Sequence, residues 1–82
     1  MATVHLRYWA AAEDAAGAAT ASYPAQTLNE ALTQAGRDHP RLAQLLPGCA
    51  VLRDGVRVPE ERRDDPLGED IEVEVLPPFA GG

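Results

Sequence analysis

The sequence predicts an α+β fold in which one main helix packs across a mixed sheet of four to five strands. Three observations carry that expectation. Both ends of the chain hold apolar residues at period two, Val4-Leu6-Tyr8 and Ile71-Val73-Val75. Between them lies one stretch, Leu28-Ala31-Leu32-Ala35, with the spacing of a helix that buries one face. Asp54-Gly55 supplies the dipeptide that accepts positive φ in a two-residue hairpin turn.

Taken in order, Thr3 to Trp9 forms the first strand, with Val4, Leu6 and Tyr8 on one face and His5, Arg7 and Trp9 on the other. Ala10 to Gly17 consists of small residues around Glu13 and Asp14 and is expected to be a connector. Ala18 to Tyr23 is the second strand, ended by Pro24. Thr27 stands three residues before Glu30, the spacing at which side chain and backbone satisfy each other at a helix start. Gly36 and Pro40 mark the end of that helix. Pro40 to Leu46 forms a further short helical turn, with Leu42, Leu45 and Leu46 over the core and Pro47-Gly48 as its stop. Cys49 to Arg53 and Val56 to Val58 flank the Asp54-Gly55 turn as a short hairpin. Pro59 to Asp65 is a polar loop whose Glu-Glu-Arg-Arg-Asp-Asp run is expected to be a solvated face. Ile71, Val73 and Val75 alternate with Glu72 and Glu74, which makes a last strand with one buried and one wet face. The order is ββαββ with small helical insertions, the plan of a β-grasp domain.

Composition limits what such a chain can do. Of its 82 residues 37 are hydrophobic, and 15 of those are alanine, so 22 side chains remain to fill volume. That makes one small core, without room for a second domain or a large enclosed active site. Function is therefore expected on the surface or at an end. Thirteen acidic residues face seven basic ones, all arginine, for a net charge of −6. An acidic surface repels phosphate backbones and anionic headgroups, so a protein partner is expected, with no nucleic acid and no membrane. The single Cys49 excludes an internal disulfide and is expected to be a small core residue in a reducing cytoplasm. No segment has the length and apolarity of a signal peptide or of the roughly 20-residue membrane span. His5 and His39 lack ligand spacing around them, so no metal site is expected. The lone serine, Ser22, has no nucleophile constellation in the sequence, and Gly48, Gly55 and Gly68 are isolated turn glycines.

The end of the chain is more informative. After Leu76 it reads Pro77-Pro78-Phe79-Ala80-Gly81-Gly82. The domain is expected over 1–76 and an extended tail over 77–82, because two prolines cannot continue a ladder and hold the backbone extended. Gly81 and Gly82 carry no β-carbon, which lets the backbone enter a channel too narrow for side chains. The Gly82 carboxylate is thus the candidate reactive group. A carboxylate resists nucleophilic attack. Conversion to an acyl-adenylate supplies a leaving group, and a sulfur nucleophile can then displace AMP and leave a thiocarboxylate. Leu76 breaks the strand's alternation and is expected to face away from the core. With Phe79, and with Pro77 and Pro78 between them, it is a candidate partner contact.

This ending resembles the MoaD/ThiS-type sulfur carriers of the ubiquitin-like β-grasp superfamily, most of all the molybdopterin synthase small-subunit branch. The resemblance rests on Asp65-Pro66-Leu67, Gly68-Glu69-Asp70, Val73 and the Pro77-Pro78-Phe79-Ala80-Gly81-Gly82 tail. It extends to Trp9-Ala10-Ala11-Ala12-Glu13-Asp14-Ala15-Ala16-Gly17 near the front, with Glu13 where the family usually has arginine and Ile71 where aspartate is common. The resemblance implies that a MoeB/ThiF-type adenylating enzyme charges Gly82 with ATP and that a cysteine desulfurase or rhodanese supplies sulfur. It further implies that the molybdopterin synthase large subunit receives the tail to build the dithiolene. The carrier would bind no cofactor, and the catalytic side chains would sit on the partners. The alternatives are a carrier for thiazole, cysteine or natural-product biosynthesis, a ubiquitin-like modifier of target lysines, and a binding module whose tail has no chemistry.

Overall fold

The computed structural model describes residues 2–78. Five strands form one sheet: β1 (Ala2–Tyr8), β2 (Thr20–Ala25), β3 (Ala50–Arg53), β4 (Val56–Arg57) and β5 (Ile71–Leu76), in the spatial order β2-β1-β5-β3-β4. β1 and β5 run parallel at the centre, and every other pairing is antiparallel. The sheet is therefore mixed, with the two ends of the domain side by side. This is the ubiquitin-like β-grasp expected from the sequence.

The alternation in β1 and β5 sends Val4, Leu6, Tyr8, Ile71, Val73 and Val75 to one face, where all are buried. Helix α2 (Leu28–Asp38) lays Leu28, Ala31, Leu32 and Ala35 over that face. Its start is fixed as the Thr27 to Glu30 spacing requires. Glu30 N donates to Thr27 Oγ1 at 3.1 Å, and the Glu30 carboxylate accepts from Gln26 N at 3.0 Å, one residue before the cap. Helix α3 (Pro40–Leu45) and a 3₁₀ turn (Leu46–Gly48) follow, with Leu42 fully buried and Leu45 and Leu46 partly covered against the core. Cys49 is buried too, its thiol donating to the Leu45 carbonyl at 3.2 Å. At the hairpin, Asp54 (φ 53°) and Gly55 (φ 79°) both adopt left-handed backbone, as a primed turn demands.

Four expectations need correction. The segment expected as a connector is helix α1 (Ala10–Ala16), which buries Ala12 and Ala16 and closes on Gly17 at φ 71°. Alanine is the best helix former but fills little volume, so a helix buried by alanine shows no stripe of bulky residues. Pro24 does not end the second strand but lies inside β2, opposite Thr3. The strand is at the sheet edge, where the missing N–H of proline is tolerated. Gly36 does not end α2, which continues to Asp38. A β-carbon there would come within 3.1 Å of Ala43 Cβ, so this glycine allows α2 and α3 to approach closely. Finally, the charged run is not uniformly solvated. Arg63 is only 7% exposed, and its Nε donates to the Val58 carbonyl at 3.2 Å.

Candidate functional site

The tail springs from the middle of the sheet. β5 pairs with β1 through Val75 and with β3 through Leu76, so the strand is held on both sides to Val75 and on one side at its last residue. Trp9 N adds a hydrogen bond to the Val75 carbonyl at 3.2 Å. Beyond Leu76, Pro77 is buried and Pro78 is exposed. A β-carbon on Gly48 would lie 3.6 Å from Pro78 Cγ, so the chain leaves the sheet against the 3₁₀ turn. The described part of the tail therefore has its root in a strand that is paired to a neighbour on each side. Phe79, Ala80, Gly81 and Gly82 lie outside the described residues.

Beside this root is the face of the sheet that no helix covers. Leu76 falls on it, as its break in the alternation predicts, and is half-buried next to Ala50 across β3. Leu52, also partly buried, stands opposite Glu74 one step along. Trp9, 39% exposed, donates Nε1–H to Glu74 Oε2 at 2.7 Å, while the Arg7 guanidinium lies 4.6 Å from its ring centroid. These contacts tie the indole to Glu74 of β5 and to Arg7 of β1. Farther from the tail the face turns polar, with His5 Nδ1 2.7 Å from Ser22 Oγ and Glu72 in register with His5. Sequence parity placed Trp9 on this face. No local sequence pattern signals its link to Glu74, which spans 65 residues and depends on the parallel β1-β5 pairing.

The helix-covered side carries the perturbed acids. Burial pushes the Tyr8 phenol far above its usual range, assisted by Tyr23. Tyr23 is likewise raised, by burial and by its hydrogen bond to Asp38 at 3.0 Å. Burial also raises the Cys49 thiol, against a smaller opposing pull from the Arg63 charge. A raised thiol is a poor nucleophile at neutral pH, so Cys49 is unsuited to relay sulfur and behaves as the core residue expected. Among the described residues no group of three His, Cys, Asp or Glu side chains is placed to hold a metal ion, and no helix is long and apolar enough to cross a membrane.

The ThiS family profile matches residues 6–82, nearly the whole chain and the complete tail. The chain belongs to the ThiS family. A search of curated proteins finds no match. Among solved structures, the solution structure of small archaeal modifier protein 1 from Methanosarcina acetivorans is similar over 100% of this chain and 98% of that one, with TM-score 0.85 and 21% identity. The crystal structure of the Haloferax volcanii modifier SAMP1 covers 98% of this chain and 99% of its own, with TM-score 0.78 and 21% identity. A third likeness is to a chain in the complex of subunits 1 and 2 of the molybdopterin-converting factor from Helicobacter pylori, with TM-score 0.68, 21% identity and 98% and 99% coverage. At these identities the structural matches establish the shared β-grasp fold, and the family assignment rests on the profile.

Proposed function

We propose that this ThiS-family chain is a cytoplasmic sulfur carrier and the small subunit of a molybdopterin synthase. In this reading the Gly82 carboxylate attacks the α-phosphate of ATP on a MoeB/ThiF-type enzyme, releasing pyrophosphate and forming an acyl-adenylate. A persulfide carried by a cysteine desulfurase or rhodanese displaces AMP to form an acyl disulfide. A second thiol cleaves its S–S bond, ending as a disulfide with the donor cysteine and leaving a thiocarboxylate on Gly82. Transfer of that sulfur in the large subunit, followed by water, restores the carboxylate. The observation that carries the reading is the seating of the tail. A central strand paired on both sides delivers Pro77 and Pro78 to one edge of the domain, and the family match continues through Gly82. A tail used as a group carrier needs such a root, because wobble there dilutes the reactive end within the partner's channel.

Trp9, Leu76 and Leu52 supply the apolar part of the docking surface beside the root, and Phe79 the anchor on the tail itself. The molybdopterin branch is supported by the Pro-Pro step before the glycines and by the likeness to a chain of the Helicobacter pylori complex. The likeness to archaeal modifier proteins supports a second reading, in which the activated tail forms amides with lysines of target proteins. The two differ in the fate of the acyl group. Mixing thiocarboxylated chain with the large subunit and the sulfur-free pterin precursor should yield dithiolene product and recovered free chain. Lysine-linked adducts as the main outcome would move the assignment to a modifier. Product formed only with a thiazole or cysteine pathway acceptor would keep the carrier chemistry but change the pathway.

A further inference from the structure

Arg63 is an anomaly that the tail chemistry does not use. It is 93% enclosed in a chain of net charge −6, yet neither ion pair among the described residues, Arg53–Glu69 or Arg62–Asp65, includes it. Its Nε is occupied by the Val58 carbonyl, and its own carbonyl accepts from Asn29 N at 3.0 Å, which ties the residue to the first turn of α2. The two terminal guanidinium nitrogens have no hydrogen-bond partner among the described residues. Nor are they sealed, since Tyr8 Oη is the one fully enclosed side-chain polar atom there without a partner. Enclosing a guanidinium without a counter-charge is costly, and the planar fork is shaped to grip the two oxygens of a carboxylate.

Arg63 lines a groove between α2 and the segment formed by α3 and the 3₁₀ turn. Leu32, Gly36, Leu46 and Pro47 form its walls, and Arg37 from the last turn of α2 adds a second cation. No acidic side chain lines this groove, although the chain has 13. Pro47 also adjoins Gly48, against which Pro78 rests, so the groove ends beside the root of the tail. We propose that the groove binds a carboxylate carried on an apolar segment of a partner protein. The Arg63 fork takes the two oxygens, Arg37 faces them from the rim, and the apolar body lies between Leu32 and Leu46. Apolar walls favour this ligand over inorganic phosphate, which binds with its hydration largely kept.

The test titrates the ¹⁵N-labelled full chain with hexanoate, a carboxylate on an apolar body, alongside hexanamide and inorganic phosphate. Saturable shifts are expected with hexanoate at the Asn29, Thr33, Gly36 and Arg37 amides and at the Arg63 side-chain N–H, with no saturation by hexanamide. Arg63→Gln should weaken hexanoate about tenfold or more, the range for hydrogen bonds to a charged group. Should that variant not fold, the exposed Arg37→Gln should still weaken binding severalfold while the Arg63 side-chain signal of the unsubstituted chain reports direct contact. Absence of saturable shifts, shifts centred elsewhere, or an equal response to hexanamide would overturn the proposal. Phosphate binding as tightly as hexanoate would also overturn it, in favour of a general anion site. None of these readouts involves Gly82, so their failure leaves the sulfur-carrier reading intact.

Discussion

The two faces of the sheet are built from alternate residues of the same strands, and they have been put to different uses. On the covered face Val4, Leu6, Tyr8, Val51, Val73 and Val75 are at most 2% exposed and share one core with the buried side chains of the helices. On the open face His5, Arg7, Glu72 and Glu74 share the surface with Leu52, Leu76 and Trp9. Each large apolar side chain fully buried contributes about 1.5–3 kcal/mol, so the covered face holds the fold together. The open face gives up that contribution and keeps a mixed surface at the root of the tail. In a domain of 82 residues one sheet thereby supplies both a stabilising core and an open face of mixed polarity.

Substitutions on the two faces should separate these roles. Leu6→Ala, on the covered face, should destabilise the domain by about 3 kcal/mol in urea unfolding, with little cavity relaxation in so small a core. Trp9→Ala, on the open face, should weaken binding to the large subunit by about 1–3 kcal/mol in calorimetric titration while the urea midpoint changes far less. A loss of stability as large as that of Leu6→Ala would erase the distinction. Thr27→Ala removes the cap of α2, the helix that defines the covered face, and should cost about 1 kcal/mol. On the same side, Tyr23→Phe breaks the bond to Asp38 and should cost about 1 kcal/mol, whereas Tyr8→Phe removes a hydroxyl without a partner and should be neutral or stabilising.

The smallest effect is a pH dependence. Because the folded Cys49 thiol titrates above the unfolded one, its contribution is fully present below the unfolded thiol's pKa and is lost as pH rises toward the folded value. Stability should therefore fall as pH rises past the unfolded thiol's pKa of about 8.5, and Cys49→Ala should flatten the first part of that slope. A slope unchanged by the substitution would mean that the thiol is not protected by the core.

How far the sequence revealed this arrangement depended on side-chain size and on chain separation. β1, β5 and α2 were legible because bulky residues marked their periods, and the Asp54-Gly55 turn because its backbone requirement is local. α1 was not, since Ala12 and Ala16 bury a helix without marking it. Gly36 reads as a terminator in the sequence because glycine signals both a helix end and a close contact, and only the position of Ala43 distinguishes them. At the candidate site, the outward turn of Leu76 and the placement of Trp9 followed from parity alone. The Trp9–Glu74 bond and the seat of Pro78 on Gly48 depend on pairings between distant segments, which no local pattern encodes. Burial of Arg63 within a charged run was likewise invisible, because composition there argued for solvent.

The proposed conversion of Gly82 to a thiocarboxylate changes the mass of the chain, so intact-mass analysis reads it without an intermediary. The full chain is incubated with its cognate adenylating enzyme, ATP and a sulfur donor, beside a variant lacking Gly82. The full chain should gain the mass difference of one sulfur for one oxygen only when ATP is present, and the shortened chain should stay unchanged though folded. An unshifted full chain in the presence of an adenylating enzyme shown to be active would contradict it.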